Sequence, residues 1–528
     1  MDMIEALAVA AICALKARFF LHMAQLEGYR PESYSSWLRK NTDKLFGWTV
    51  NLGVAASVVY FALSLLTAPL GSGPLLAARI AILVCFMLVV LFFDMRQGKE
   101  PEKKPMVYTA RMKRLYAAFA IVTLAATRFI QLLSVPAYLA FAAIPYMLVA
   151  ALWLMWPIEN IINDRYKSLA AVKLAGRPDL IRIGITGSYG KTSAKFILNA
   201  ILSEKFDVLA SPSSINTPMG LTIMIREQLE QHHQVLIAEM GARRVGEIRE
   251  LAELIKPRYG VITSIGPQHL ETFGSLENVA KTKFELIEEL PGDGVGFFGA
   301  DDGETDKLYE KAACEKYRAG IGGGFLYMRA EDIEVGEFGS RFTLRDNEGN
   351  RAVCETKLLG RHNIANIVLC CAVAARLGMS MEQIARGIKR IRPIEHRLML
   401  MRGESGEPLV IDDAFNSNPA GAKAALDVLA QFKNRRRLIV TPGMVELGDK
   451  QNDFNYKFGA QIAMCCDIAV LVGSTCSRAI AQGAVDSGMA IENIHFVANL
   501  KDAAALLRNI GRETDIILFE NDLPDNYS

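Results

Sequence analysis

Hydrophobic and polar positions divide the chain in two. Up to about residue 157 the apolar positions come in long unbroken runs: 48–68 (WTVNLGVAASVVYFALSLLTA), 74–93, 116–134 and 135–156 (VPAYLAFAAIPYMLVAALWLMW). A membrane-crossing helix needs about 20 mainly apolar residues, so four such helices are expected. A fifth run, 3–23, carries Lys16 and Arg18 and is expected either to span or to lie in the interface. Its basic residues follow the apolar run and no small-residue cleavage site is evident, which separates it from a secretory signal. Arg79 and Arg128 interrupt two of the runs; Arg79 is near enough to a helix end to snorkel, and Arg128 lies deeper.

From about residue 180 the pattern changes. Short β-branched runs (IRIGIT, QVLIAEM, YGVITSI, GVGFFGA) alternate with longer amphipathic stretches (AKFILNAILSEKF, VGEIRELAELI, ENVAKTKFELIEEL). This alternation predicts a mostly parallel sheet with helices on both faces. An irregular, β-leaning patch covers 322–358, a helix is expected at 363–377, and the pattern breaks near Arg392-Pro393. A second α/β set follows: PLVIDDA, a helix at 420–432, RRLIVTP, a helix near 452–464, IAVLVG, a helix near 477–486, IHFV and DIILFE. The expected architecture is therefore a helical membrane domain at 1–160, an α/β domain at 165–392 and a Rossmann-like α/β domain at 393–528.

Loop charge orients the membrane part. The stretch DMRQGKEPEKKPMVYTARMKRLY and the segment 24–47, with Arg30, Arg39, Lys40 and Lys44, are rich in Lys and Arg, whereas TAPLGSG has no charge. Basic loops stay inside, so the last span delivers everything after about 157 to the cytoplasm, where ATP is. The expected location is a bacterial cell membrane, multi-pass, with the soluble domains cytoplasmic. At 528 residues about three domains are expected. A formal charge of only +2 gives no reason to expect nucleic acid as a partner. Nine scattered cysteines, with no CxxC spacing, argue against a disulfide framework or a zinc site.

The chemistry starts at residues 186–193, TGSYGKTS. Strand, glycine-rich turn, Lys, Thr and helix form a P-loop layout. Backbone N–H groups of Gly187, Ser188, Tyr189, Gly190 and the helix start, with Ser193, would cradle phosphates; Lys191 would reach the outer phosphates and Thr192 would ligate Mg²⁺. The first glycine of the usual pattern is replaced by Ile185.

TGSYGKTS is followed in order by SSINTPMG, IAEMGARRVGEI, QHLETFGS, VAKTKFE, GRHNIAN, HRL, IDDAFNSNP and MVELG. This series resembles the Mur ligase family, ATP-dependent amino-acid- and peptide-adding enzymes of cell-wall precursor synthesis. GEI, FGS and the DDAxNxNP wording are closest to its D-alanyl-D-alanine-adding branch. The resemblance implies ATP, two Mg²⁺ ions and an acyl-phosphate route to an amide bond. It implies Glu239 as a metal ligand, His269 as a ligand of the second ion, and Lys283 as a lysine that carries a carbamate and helps hold that ion. Lys281 lies about 200° away on the same helix, so only one of the two faces the site, and the KxE wording favours Lys283. Asn216 and Thr217 match a segment near phosphates and acceptor, Asn363 and Asn366 the nucleotide side, Arg397 an arginine reaching ATP on domain closure, and Asp413 the ribose side or linker. Asn416 and Asn418 line the same loop as Asp413.

The sequence departs from the family pattern in places. Membrane helices stand where the soluble enzymes carry a UDP-gripping domain, so a lipid-linked precursor at the inner leaflet is one expected acceptor. GADD (Gly299 to Asp302) lacks an asparagine, Asn455 stands for a histidine nine residues after Glu446, Phe415 for a tyrosine, and Glu520 for a commonly basic residue. The incoming amine, an amino acid or a dipeptide such as D-alanyl-D-alanine, is read mostly by that region. A poly-γ-glutamate synthetase-like or other envelope amide ligase is the neighbouring alternative; a membrane scaffold or transporter with a degenerate nucleotide domain is the alternative of another class.

Overall fold

The computed structural model describes residues 2–42, 48–67, 72–96, 105–213, 215–336, 339–402, 407–414 and 417–521. The chain separates into two units, Met1–Arg165 and Tyr166–Leu523.

The first unit is helical: Asp2–Lys16, Arg18–Leu26, Pro31–Lys40, Trp48–Thr67, Ser72–Arg96 and Ala110–Leu132, then a 3₁₀ turn at Ala137–Ala143 and the start of Ile144–Ala175. The run 3–23 does not form one helix. It breaks at Ala17 into pieces of 15 and 9 residues, and 15 residues rise only about 22 Å, short of a hydrocarbon core of about 30 Å. Among the described residues, Ala110–Leu132 and Ala137–Ala175 are long and apolar enough to cross a membrane; Asn51–Thr67 and Leu76–Phe92 are shorter apolar helical stretches. Thr109 starts the first of these long helices by accepting from the Met112 N–H at 3.1 Å. Arg79 does not reach outward: its guanidinium is paired with Asp2 and the buried Glu5. Arg128 donates to Gln131 at 2.9 Å, and Arg114 grips Glu159 through two bonds of 2.7 and 3.0 Å. Tyr34, Phe119, Tyr138 and Phe141 are fully buried among these helices.

The second unit holds two sheets. The first contains β1 (Ile181–Thr186), β2 (Val208–Ala210), β3 (Val235–Glu239), β4 (Tyr259–Ile262), β5 (Val295–Gly299), β6 (Glu315–Gly320), β7 (Met328–Gly336), β8 (Gly339–Asp346) and β9 (Arg351–Thr356), in the order β2-β3-β1-β4-β5-β6-β7-β8-β9. β1 to β7 pair in parallel, and β7, β8 and β9 form an antiparallel meander. That meander is the patch that read as irregular in the sequence. Ile185 of β1 pairs with Glu239 of β3, so both strands end together and the loop after β1 opens beside the Glu239 carboxylate. Helices Lys191–Leu202 and Arg361–Arg376 cover one face, with Ile197, Ile201, Ile364 and Ile367 in a core shared with Ile183 and Ile185.

The second sheet contains β10 (Met399–Arg402), β11 (Leu409–Asp413), β12 (Arg436–Thr441), β13 (Ile468–Val472), β14 (Ile494–Val497) and β15 (Asp515–Glu520), ordered β10-β11-β15-β12-β13-β14. Only β10 runs antiparallel. Asp413 and Glu520 pair at the carboxyl ends of β11 and β15, where open α/β sheets bind ligands.

Candidate active site

The loop after β1 is shaped for close approach. Gly187 has φ +147°, and a Cβ there would come within 2.1 Å of the Thr263 hydroxyl oxygen; Gly190 has φ +78°, and a Cβ would meet the Asn366 side chain at 2.8 Å. Only glycine fits either position without displacing a neighbour. Ser188 ties the loop to the strand-end segment after β4: its N–H donates to Ser264 O at 2.7 Å and its hydroxyl to Gly266 O at 3.0 Å. Lys191, the first helical residue, folds its ammonium back onto the carbonyls of Gly187 (2.6 Å) and Ser188 (2.9 Å). Burial pushes this lysine down to about 8. The arrangement is a positive, amide-lined turn at a helix N-terminus, which suits an anion.

Hard oxygen and nitrogen groups converge next to it. Glu239 is buried at the end of β3, and its Oε1 accepts from the Thr192 hydroxyl at 3.0 Å and from the Asn216 amide at 3.1 Å. The Asn216 side chain lies against Gly241, where a Cβ would approach it to 2.7 Å. The other oxygen, Oε2, pairs with Lys195 at 3.0 Å. Among the described residues no three His, Cys, Asp or Glu side chains stand together as a metal cage. A hydroxyl with one carboxylate is instead the sparse set that Mg²⁺ takes when phosphates and water complete its shell.

Lys283 and Lys281 separate as their angular spacing requires: Lys283 is buried, Lys281 exposed. The Lys283 ammonium lies 5.7 Å over the Phe273 ring. Burial, then the Lys191 charge, hold Lys283 well below the usual lysine range, against the opposing pull of Glu247 and Glu285. His269 pairs through Nδ1 with the Glu446 carboxylate. Burial lowers its pKa, Glu446 opposes this, and the Lys191 charge adds to the lowering.

A cleft of about 570 Å³ opens beside Tyr189, Gly190 and Ser193 and continues past Asn363 and Asn366 to Arg397, Asp413, Asn418 and Glu520. Its size is that of a small-molecule site. Burial pushes Asp413 up to about 6, with Arg397 opposing the shift. Glu520 is held well above the usual carboxylate range by burial and by Asp413, and it accepts from the Ser417 hydroxyl at 2.5 Å. Some expected contact residues are occupied within the protein: Asn363 donates to Leu359 O at 2.8 Å, and Thr217 and Asn418 accept from Gly220 N and Gly421 N as helix N-caps. Asn416 lies outside the described residues.

Sequence reasoning missed Lys195, although it stands one helical turn after Lys191, a spacing that puts both on one face. It also missed the partnership of Glu446 with His269, which joins residues 177 positions apart.

Two family models match the chain: the Mur ligase middle domain at residues 185–374 and the Mur ligase glutamate ligase domain at 396–520. The chain is similar to the UDP-N-acetylmuramoyl-tripeptide--D-alanyl-D-alanine ligase of Bacillus subtilis (strain 168), 29% identical over 339 residues that make up 64% of this chain and 72% of the relative. It is similar to the ligase of the same name from Mycobacterium tuberculosis (strain ATCC 25618 / H37Rv), 32% identical over 372 residues, 66% of this chain and 72% of the relative. Its fold is similar to a crystal structure of MurF from Acinetobacter baumannii, with a TM-score of 0.62, 26% identity, and coverage of 68% of this chain and 77% of that one. Identity at this level, over nearly three quarters of a relative's length and through both sheets, means that the chain belongs to the Mur ligase family.

Proposed function

We propose that the chain is an ATP-dependent, ADP-forming amide ligase of peptidoglycan precursor synthesis that joins a dipeptide such as D-alanyl-D-alanine to the carboxylate of a muropeptide. The observation that carries this is the Thr192–Glu239–Asn216 set packed beside the Lys191 turn. The relatives' names favour it over a poly-γ-glutamate-type ligase and over a scaffold with a degenerate nucleotide site.

In this reading an acceptor carboxylate oxygen attacks the γ-phosphorus of ATP; the bond to the β–γ bridging oxygen breaks, leaving ADP and an acyl phosphate. The amine nitrogen then attacks the acyl carbon, phosphate departs, and the amine loses a proton. Two magnesium ions, when bound, supply positive charge to the phosphoryl oxygens. The residues do the positioning. Gly187 to Gly190, Lys191 and Ser193 hold the phosphates; Thr192 and Glu239 serve one ion, His269 and Lys283 the other. Burial favours the free amine of Lys283 over its ammonium form; that amine would add to CO₂ and release a proton to give a carbamate, an anion that would help hold the second ion. Asn363, Asn366, Arg397 and Asp413 face the nucleotide, and Asn216, Thr217, Asn416 and Asn418 the acceptor and amine. Closure of a central domain (165–392) on a Rossmann-like C-terminal domain (393–528) excludes water from the acyl phosphate.

Residues 1–160 form the membrane domain in this reading, with the rest cytoplasmic. Only 28% of the apolar window in Ala110–Leu132 is buried, and Ile121 and Phe129 face outward, as lipid-facing positions would. A membrane-held enzyme with apolar helices immediately ahead of its central domain suits a lipid-linked muropeptide. The test is phosphate release by the full chain in lipid nanodiscs, given D-alanyl-D-alanine and either a UDP-linked or a lipid-linked tripeptide. Turnover of either establishes the ligase; equal turnover of both removes the lipid preference; turnover of neither, with nucleotide bound, removes the muropeptide.

A further inference from the structure

The pairing of His269 with Glu446 joins the two regions matched by the family models, since His269 lies in the first and Glu446 in the second. Both residues sit in the left-handed backbone region, His269 at φ +53° and Glu446 at φ +63°. Neither is a glycine, and such conformations persist only where the surroundings enforce them, often at sites of function.

The loop that carries Glu446 is pinned on its far side. Asn455, fully buried, accepts from Met444 N at 2.9 Å and donates to Met444 O at 2.8 Å. The Cys476 thiol also donates to Met444 O, at 3.3 Å, and the Asn521 amide donates to Gly443 O at 2.5 Å. Two residues beyond this anchor the Glu446 carboxylate splits its oxygens: Oε2 to His269 Nδ1, and Oε1 to Arg243 at 3.4 Å. Arg243 follows Gly241, against which Asn216 packs. The carboxylate therefore closes a bracket around the metal-side wall of the site.

An imidazole whose Nδ1–H is committed to a carboxylate has only Nε2 to offer a cation, and the carboxylate fixes ring orientation and tautomer at once. We propose that Glu446 is the positioning residue for His269, so that the region matched by the second family model supplies the group that orients a ligand in the first. The proposal rests on the reading of His269 as a metal ligand.

The experiment counts Mn²⁺ by electron paramagnetic resonance on the full chain in detergent with a nonhydrolysable ATP analogue. The parent is expected to bind two ions and His269→Ala one. Glu446→Ala is expected to bind the first ion like the parent and the second about 10- to 100-fold more weakly; Glu446→Gln, which keeps an acceptor oxygen, should fall between. If Glu446→Ala does not fold, Glu446→Gln carries the test, with any weakening of the second ion alone as support. If His269→Ala loses an ion while the Glu446 variants keep both at parental affinity, the positioning role is overturned and the metal reading stands. If His269→Ala keeps both ions, the metal reading fails and takes the proposal with it.

Discussion

Lys195 and Glu239 form an ion pair of 3.0 Å, Nζ to Oε2, in which the two side chains are 0% and 1% exposed. The ammonium also donates to Ser213 O. One oxygen of Glu239 is thus consumed by a fixed cation, and the other is left for Thr192 and Asn216. The pair steers the carboxylate so that Oε1 faces Thr192, next to Lys191 at the start of the helix after β1.

Removing one member strands a buried charge. Lys195→Met is expected to destabilise the chain by about 3–5 kcal/mol, whereas replacing both residues by apolar ones of similar volume should cost much less. Denaturant or thermal unfolding of the single and double variants measures this. A Lys195→Met chain as stable as the parent would show that the pair does not hold Glu239.

Lys191 is expected to set a pH dependence for nucleotide binding. Its ammonium is lowered to about 8, burial being the main cause, and bound phosphate favours the charged form. Above about pH 8 the free protein has lost a proton that the complex retains, so binding takes up a proton and affinity falls as pH rises, by at most tenfold per unit. Titration calorimetry with an ATP analogue between pH 7 and 9 should show this fall. Lys191→Ala should bind about 10- to 100-fold more weakly, on the scale of a lost charge-assisted hydrogen bond, and without that slope. A parent protein whose affinity is flat to pH 9 would contradict the depressed lysine.

What was legible in the sequence was what is local. The turn at Gly187 to Lys191 is written in eight consecutive residues, and the angle between positions two apart on a helix separates Lys283 from Lys281, although it is the KxE wording that favours Lys283. The parallel strands read clearly because buried runs such as VLIAE are apolar throughout. Short elements escaped: β2 has three residues, and the nine-residue helices Gly303–Lys311 and Met381–Lys389 have too few turns for a period to stand out. The 3–23 run looked continuous because hydropathy does not register a break at Ala17. Glu446, Arg243 and His269 carry no joint signal, since their meeting depends on how one sheet's loops fall against the other's. Asn455 shows the same limit: as a departure from family wording it pointed to amine choice, whereas here it is a buried brace for the Met444 carbonyl and amide.

Lys283 is expected to carry CO₂. Burial holds its proton affinity well below the usual range, which favours the free amine, the form that attacks CO₂; Lys281 is exposed on the same helix. Carbon-13 NMR after incubation with labelled bicarbonate should show one carbamate signal that Lys283→Met abolishes and Lys281→Ala leaves. Activity should follow the same pattern. In CO₂-free buffer the unfolded chain binds a proton at this lysine that the folded chain lacks, between the depressed value and 10.5. Stability should therefore rise with pH across that window and be lost as pH falls. Lys283→Met should lack that contribution and be more stable than the parent at neutral pH. A labelled signal that survives in Lys283→Met would move the carbamate elsewhere.

Arg397 is presented by a turn clamped from both sides. His396 and Leu398 flank it with φ of +58° and +47°; His396 Nδ1 bonds Asp412 Oδ2 at 2.7 Å, and Leu398 N donates to Asp413 Oδ1 at 3.1 Å. Two adjacent aspartates at the end of β11 thus fix the backbone on either side of Arg397, which lines the cleft. A guanidinium presented from a backbone fixed in this way is suited to charge that grows on a transferring phosphoryl group more than to ground-state binding. Arg397→Ala should lower kcat by about 10²- to 10³-fold while the affinity for an ATP analogue changes only a few-fold. Arg397→Lys, which keeps the charge and loses the planar fork, should recover only part of the rate. Asp413→Ala should loosen the turn and imitate Arg397→Ala in direction, with a smaller loss. Steady-state kinetics beside equilibrium nucleotide binding separates the two effects; an Arg397→Ala enzyme that lost binding and kept kcat would make this arginine a nucleotide anchor.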